Sequence, residues 1–404
     1  MSIVVSLLGL AFLILIHEAG HFFVARVVGM NPRKFYLGFP PALAKTNRNG
    51  IEYGIGAIPL GGYVKIPGMH RPAAGDLDVH FGRGLEEAPS LRRPVDTLRH
   101  TLETGDYEAA KEALVDVRAA VGTATLSAPA RASAERGLTE IGDSLAPDAY
   151  WRAKTWKRVA VIFAGPAANL VFALAVFAAL FATLEGSYRV GFELRATEDR
   201  QVTAVVHDVL PDSPAEAAGI RAGDRILEID GERVTGPTIR PTIQASEGQP
   251  ITMVVERDGR RVRLGPVEPE RTEAYGPVAS MRESVAYTWE VTKEIGRSVG
   301  RLVTGDGGDV SSPIGIVQGS SEAVEQGSDT YLAVLGLISL SLALLNLLPL
   351  LPLDGGHIAF SVVEGLRGRA VAREVYERVS VVGIAVVLLL FFIGLSNDIG
   401  RLGE

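Results

Sequence analysis

Four apolar blocks decide what this chain can fold into. They run from Ser2 to Val28, Val159 to Leu184, Tyr331 to Leu353 and Val379 to Leu395. Each approaches the ~20 residues that a helix needs to cross a bilayer. Charged residues lie between the blocks: 47% of the 404 residues are apolar and the net charge is -7, so charge is segregated rather than scarce. The fold class expected is a polytopic α-helical membrane protein with four transmembrane helices. Gly165 and Pro166 interrupt the second block, which a membrane helix tolerates where neighbours satisfy the freed backbone groups. The first block is expected to stay on the chain, because no basic residue precedes it and it is longer than the apolar run of a cleavable leader. Mild acidity without a basic tail argues against nucleic acid as a partner. The absence of cysteine excludes disulfides, thiolate metal sites and cysteine nucleophiles.

Basic flanks set the orientation. Arg26, Arg33 and Lys34 follow the first block, Lys154, Lys157 and Arg158 precede the second, and Arg367, Arg369, Arg373 and Arg378 separate the third from the fourth. All three clusters share the cytoplasmic side if both termini lie outside. Residues 29–157 and 367–378 are then cytoplasmic and residues 185–330 exterior.

The first block carries ionisable residues that a plain span has no use for. In His17-Glu18-Ala19-Gly20-His21 the histidines are four apart, which puts both rings on one helix face. This HExxH spacing offers two neutral nitrogen ligands for zinc and a carboxylate, Glu18, able to take a proton from the attacking water. A charge at mid-bilayer costs about 2.5–3.5 kcal/mol and needs a partner or a purpose. The bland alternative is a polar contact between two spans.

A catalytic zinc keeps three protein ligands and one open position. His17 lies roughly 22 Å along the first helix at 1.5 Å per residue, toward the cytoplasmic end, and Asp354 ends the third block at a similar depth. Asp354 is therefore the candidate third ligand, with His357 as its competitor. Taken alone, Asp354 before Gly355 and Gly356 reads as a helix-end turn. Asn346 is an amide among leucines. It could hydrogen-bond a substrate backbone or an oxyanion, or simply join two helices.

These residues carry a resemblance. HEAGH, together with NLLPLLPLDG, in which Asn346, Pro349, Asp354 and Gly355 hold the key places, resembles the two signatures of the site-2 protease family of intramembrane zinc metalloproteases. GGYVKIPGM at 61–69 is similar to the family's membrane-associated β-hairpin. FAGPAANL at 163–170 resembles its second-span motif, and SSPIGIVQ at 311–318 the segment before its third span. The likeness covers most of the chain except residues 73–150 and is strongest to the bacterial branch that cleaves anti-sigma factors, which implies a bacterial plasma membrane. It implies zinc on His17, His21 and Asp354 with Glu18 as general base. It also implies that Gly61, Gly62, Tyr63 and Val64 bind substrate by pairing with a locally extended strand.

Between the second and third blocks, PDSPAEAAGIRAGDRILEIDGERV is similar to bacterial PDZ domains, which add a peptide as an extra strand beside a helix. That helix is expected near Pro237–Ser246, and Asp258-Gly259 reads as a type I′ turn. The domain would bind a peptide or the shortened end of a substrate, or only exclude large ectodomains. Within 73–150, helices are expected on both sides of Gly105 and again near Ala132–Leu145. His70, His80 and His100 are read there as ordinary surface histidines.

The expected organisation is a first span over 1–28, a cytoplasmic-side membrane-associated β segment over 29–72 and a cytoplasmic helical insertion over 73–150. A second span follows over 157–184, then an exterior PDZ domain over 190–270. An amphipathic helix over 278–304, a third span over 331–354 and a fourth over 379–396 complete it. The expected function is a zinc endopeptidase that cleaves a transmembrane segment, with a single-span membrane protein as substrate and the lipid bilayer as surroundings. The alternatives are an inactive PDZ scaffold, for which every ligand position is unexpectedly filled, and a metal transporter, for which the second and fourth spans offer almost no polar path.

Overall fold

A computed structural model of the chain describes residues 1–183, 188–196, 202–271, 275–304 and 312–402. Ser311, which opens one of the resembling segments, lies outside these. Helix α1 (Ser2–Val27) leads into strands β1 (Lys34–Arg48) and β2 (Ile51–Lys65), then α2 (Ala74–Glu87), α3 (Arg92–Thr104), α4 (Tyr107–Thr123), α5 (Ala128–Leu145) and α6 (Thr155–Thr183). There follow β3 (Tyr188–Arg189), β4 (Phe192–Ala196), β5 (Val202–Val209), α7 (Pro214–Ala217), β6 (Arg225–Ile229), β7 (Glu232–Arg233), α8 (Gly236–Ala245), β8 (Ile251–Arg257), β9 (Arg260–Val267) and β10 (Glu270–Arg271). The chain ends in α9 (Pro277–Thr304), α10 (Pro313–Gln326), α11 (Ser328–Asn346), α12 (Asp354–Arg367) and α13 (Arg373–Leu402). Two compact units result: residues 1–176 with 287–404, and residues 177–286.

Among the described residues, four helices are long and apolar enough to cross a membrane: Ser2–Val27, Thr155–Thr183, Ser328–Asn346 and Val375–Asp398. The helix continues through Pro166 without a break. Small residues let α1 and α6 touch, as expected where lipid removes the hydrophobic drive between helices: a Cβ on Gly20 would lie 2.3 Å from the Ala164 carbonyl oxygen. On another face of α1, the Tyr331 hydroxyl donates to the Val5 carbonyl at 3.0 Å, directly over Gly9.

The third apolar block corrects the expectation of one helix to Leu353. Helix α11 stops at Asn346, residues 347–353 form turns, and Asp354 opens α12. The reason is Pro349 and Pro352, which lack the N–H a helix needs and clash with the preceding turn. The turns fold back onto the next helix, so that a Cβ on Gly355 would lie 2.2 Å from the Leu347 carbonyl oxygen. Only glycine fits there.

Strands β1 and β2 meet at Asn49-Gly50, both at positive φ (51° and 77°), the geometry of a two-residue hairpin turn. Residues 34–37 sit between 52–55 and 62–65, with Tyr36 opposite both Gly54 and Tyr63. Residues 62–65 pair with no further strand among those described. The far end of the hairpin exposes Phe39, Leu43, Ile55 and Ile58.

Helices α2–α5 form a bundle around Leu77, Phe81, Leu98, Val117 and Ile141. Gly105, at φ 73°, ends α3, and Asp106 caps α4 by accepting from the Ala109 N–H. Helix α2 lies outside the segments expected to be helical, and its packing corrects the reading of His80. That ring is pressed against Gly137 on α5 and lies 3.1 Å from Glu140, so it is no free surface histidine.

The second unit is a sheet in the order β4-β5-β6-β8-β9, with β7 beside β6. Asp258-Gly259 has positive φ at both residues, and Ser213 caps α7 through the Glu216 N–H. Its apolar core gathers Val206, Ile226, Ile239 and Val255.

Candidate metal centre

Helix α1 brings the two histidines together: their rings meet edge to face at 4.9 Å, with the Nε2 atoms 3.2 Å apart. His21 Nδ1 is 2.8 Å from the Val161 carbonyl on α6. A carbonyl only accepts, so Nδ1 carries the proton and Nε2 presents a lone pair inward. Asp354 Oδ2 lies 3.1 Å from His17 Nε2 and 3.4 Å from His21 Nε2.

With the His21 lone pair inward, Asp354 Oδ2 and the two Nε2 atoms face one another in a largely buried place, and acceptors so close repel unless a proton or a cation joins them. Zinc with bonds of about 2.0–2.1 Å in tetrahedral geometry sets its ligand atoms roughly 3.3 Å apart, which the three separations match. Among the described residues, His17, His21 and Asp354 are the group of ligand type close enough to hold a metal ion. The site fits zinc in ligand number, ligand chemistry and spacing.

His357, the competing ligand, is not in that group; its Nδ1 faces the Tyr376 hydroxyl at 2.5 Å. Asn346 is the last residue of α11 and half-buried. Glu18 points toward the β segment: a Cβ on Gly62 would lie 2.8 Å from Glu18 Cγ, and the Val64 amide faces its carboxylate. Gly62, Tyr63 and Val64 pair with Leu37, Tyr36 and Phe35, and Gly61 lies under the Phe39 ring. Glu18 and residues 62–64 are thus adjacent.

Some contributors carry no sequence signal of their own. Gly165 reads as a helix interruption, yet a Cβ there would lie 2.3 Å from His21 Nε2 and 2.9 Å from His17 Cε1. Arg158 reads as an orientation charge, yet it is buried and donates to Glu364 on α12 at 2.7 Å. The Tyr150 hydroxyl meets Ser361 at 3.0 Å. These contacts moor the helix that begins with Asp354. At the base of the β segment, Lys34 and then Tyr36 hydrogen-bond Glu52 and hold its carboxyl down at about 2. Burial, reinforced by Glu52, pushes the Tyr36 hydroxyl up to about 12.

The profile of peptidase family M50 matches residues 5–390. A protein of Rhizobium meliloti (strain 1021), provisionally named a zinc metalloprotease, is 32% identical over 97% of this chain and 95% of its own. The regulator of sigma E protease of Salmonella typhi is 30% identical over 98% of both. Among solved structures, the HtrA3 PDZ domain bound to a phage-derived ligand overlaps 22% of this chain and 88% of its own, at 21% identity and a TM-score of 0.19. The profile match spans nearly the whole sequence and includes both motifs of the metal centre: the chain belongs to peptidase family M50 and is a zinc metalloprotease.

Proposed function

We propose that the chain is an intramembrane endopeptidase that cleaves a transmembrane segment of a single-span regulator, of the anti-sigma-factor type. The observation that carries this reading is the convergence of Asp354 Oδ2 on both histidine Nε2 atoms, within a unit whose long helices are suited to a bilayer. The substrate class is supported by full-length relatives named as regulators of sigma E.

His17, His21 and Asp354 would hold the zinc. When bound, zinc supplies Lewis acidity that polarises the scissile carbonyl and acidifies the attacking water. Glu18 accepts the proton of that water and returns it to the departing amine. Asn346 hydrogen-bonds the substrate backbone or the developing oxyanion.

A substrate span is helical, so its own hydrogen bonds shield its peptide bonds. The edge of residues 61–64 lies next to Glu18 and has no strand neighbour among those described beyond residues 34–37. It pairs with the unwound segment and holds it extended. The domain over 190–270 acts as a PDZ domain on the exterior side, taking a peptide end or restricting large ectodomains, and residues 73–150 lie in the cytoplasm. The test is cleavage of a single-span substrate by purified chain in vesicles. Product from the wild type and none from Glu18→Gln is expected; undiminished product from Glu18→Gln overturns the reading.

A further inference from the structure

The helical insertion and the substrate-pairing strand share a carboxylate. Asp143, on α5, places Oδ1 3.0 Å from Arg33 Nε and Oδ2 2.9 Å from Lys65 Nζ. Arg33 stands just before β1, and Lys65 ends β2, directly after Val64. The Arg33 N–H donates to the Lys65 carbonyl at 2.7 Å, so one carboxylate grips both neighbouring strands at the same end of the pair. Arg33 also reaches Asp148 with Nη1 at 3.0 Å and Nη2 at 3.1 Å.

Backbone contacts continue the attachment. The Tyr150 N–H donates to the Pro67 carbonyl at 2.9 Å and the Trp151 N–H to the Gly68 carbonyl at 3.1 Å. Gly68, at φ 60°, lies so close that a Cβ would be 2.7 Å from the Ala149 side chain. The bundle has its own apolar core, so none of these groups is needed to close it. What they fix is the exit of the strand whose Gly62 packs on Glu18.

We infer that the insertion braces the substrate-pairing strand, with Asp143 as the positioning residue that sets the distance between residues 62–64 and Glu18. The inference rests on the endopeptidase reading above. A strand that must pull a substrate helix open works against the substrate's own hydrogen bonds, so its anchorage matters most when that helix is stable. A displacement of about 1 Å between reacting groups can lower a rate about 10²-fold.

The experiment uses the full chain in vesicles with two single-span substrates, one a stable helix and one weakened by a Gly-Pro pair beside the cleavage position. Asp143→Asn removes the shared charge. Lys65→Met removes the strand's own ion pair with Asp143 while leaving Arg33 on Asp143 and Asp148, so it decides the matter if Asp143→Asn fails to fold. For both variants, kcat/KM should fall about tenfold on the stable segment and no more than about threefold on the weakened one. Zinc per chain should be unchanged, and Asp143→Glu should recover part of the loss. Equal losses on the two substrates, or none, overturn the brace. If the wild type cleaves neither, or Glu18→Gln cleaves both, the endopeptidase reading fails and the brace with it.

Discussion

Asp354 Oδ2 lies 3.1 Å from His17 Nε2, although the two residues come from opposite ends of the chain. Helix α1 supplies the histidines, α12 begins with the carboxylate, and α6 packs between the two sequence regions through Val161, Arg158 and Gly165. The centre is therefore a property of helix packing, and its weakest points are predictable from that packing.

Gly165→Ala is the sharpest such case. The added methyl would fall 2.3 Å from His21 Nε2, and the Val161 carbonyl holds the ring at its other nitrogen. Zinc affinity should drop about 10–100-fold, the range seen when groups supporting metal ligands are disturbed. Competition with a chelator of known affinity measures it; an unchanged zinc affinity contradicts the packing described.

Glu18→Gln keeps the shape of the side chain and removes its basicity. Turnover should fall by about 10²–10⁴, while zinc content stays that of the wild type. Single-turnover cleavage beside elemental analysis separates the two quantities. Joint loss of zinc and turnover would assign Glu18 to metal binding instead.

The four long apolar helices are legible because apolar length is a local property, and the histidine pair because helical spacing is too. Asp354 is reachable from the expected depth of its block, and the structure places it 3.1 Å from His17. What escaped depends on partners far away in sequence. Arg158 has the same composition signal whether it faces lipid headgroups or Glu364. Gly165 next to Pro166 looks like a helix fault until the histidines are found against it. The end of α11 at Asn346 was hidden by the leucines that continue past it, although Pro349 and Pro352 were in plain view. His80 passed for a surface residue because α2 was not expected to pack on α5.

The 177–286 unit holds a buried ion pair whose removal should be costly. Arg257 donates from Nε to Asp224 Oδ1 at 2.8 Å and from Nη2 to Oδ2 at 2.7 Å. Burial pushes the Asp224 carboxyl up, but the Arg257 fork and the Arg221 amide outweigh it and hold the carboxyl below its usual range. A carboxyl depressed in the folded state adds stability above its unfolded value of about 3.9, and that stability is lost as pH falls through the folded value. Arg257→Met should destabilise this unit by about 1–3 kcal/mol, because the buried Asp224 carboxylate then keeps only the Arg221 amide. Hydrogen exchange across residues 202–271 in the full chain reports it, and wild-type protection in the variant would contradict it.

The most direct measurement is zinc per chain for purified wild type and Asp354→Ala, made on the same preparations whose cleavage of a single-span substrate is followed. One zinc per wild-type chain is predicted, with zinc and cleavage both lost from Asp354→Ala. A full zinc complement and undiminished cleavage in Asp354→Ala would contradict the account.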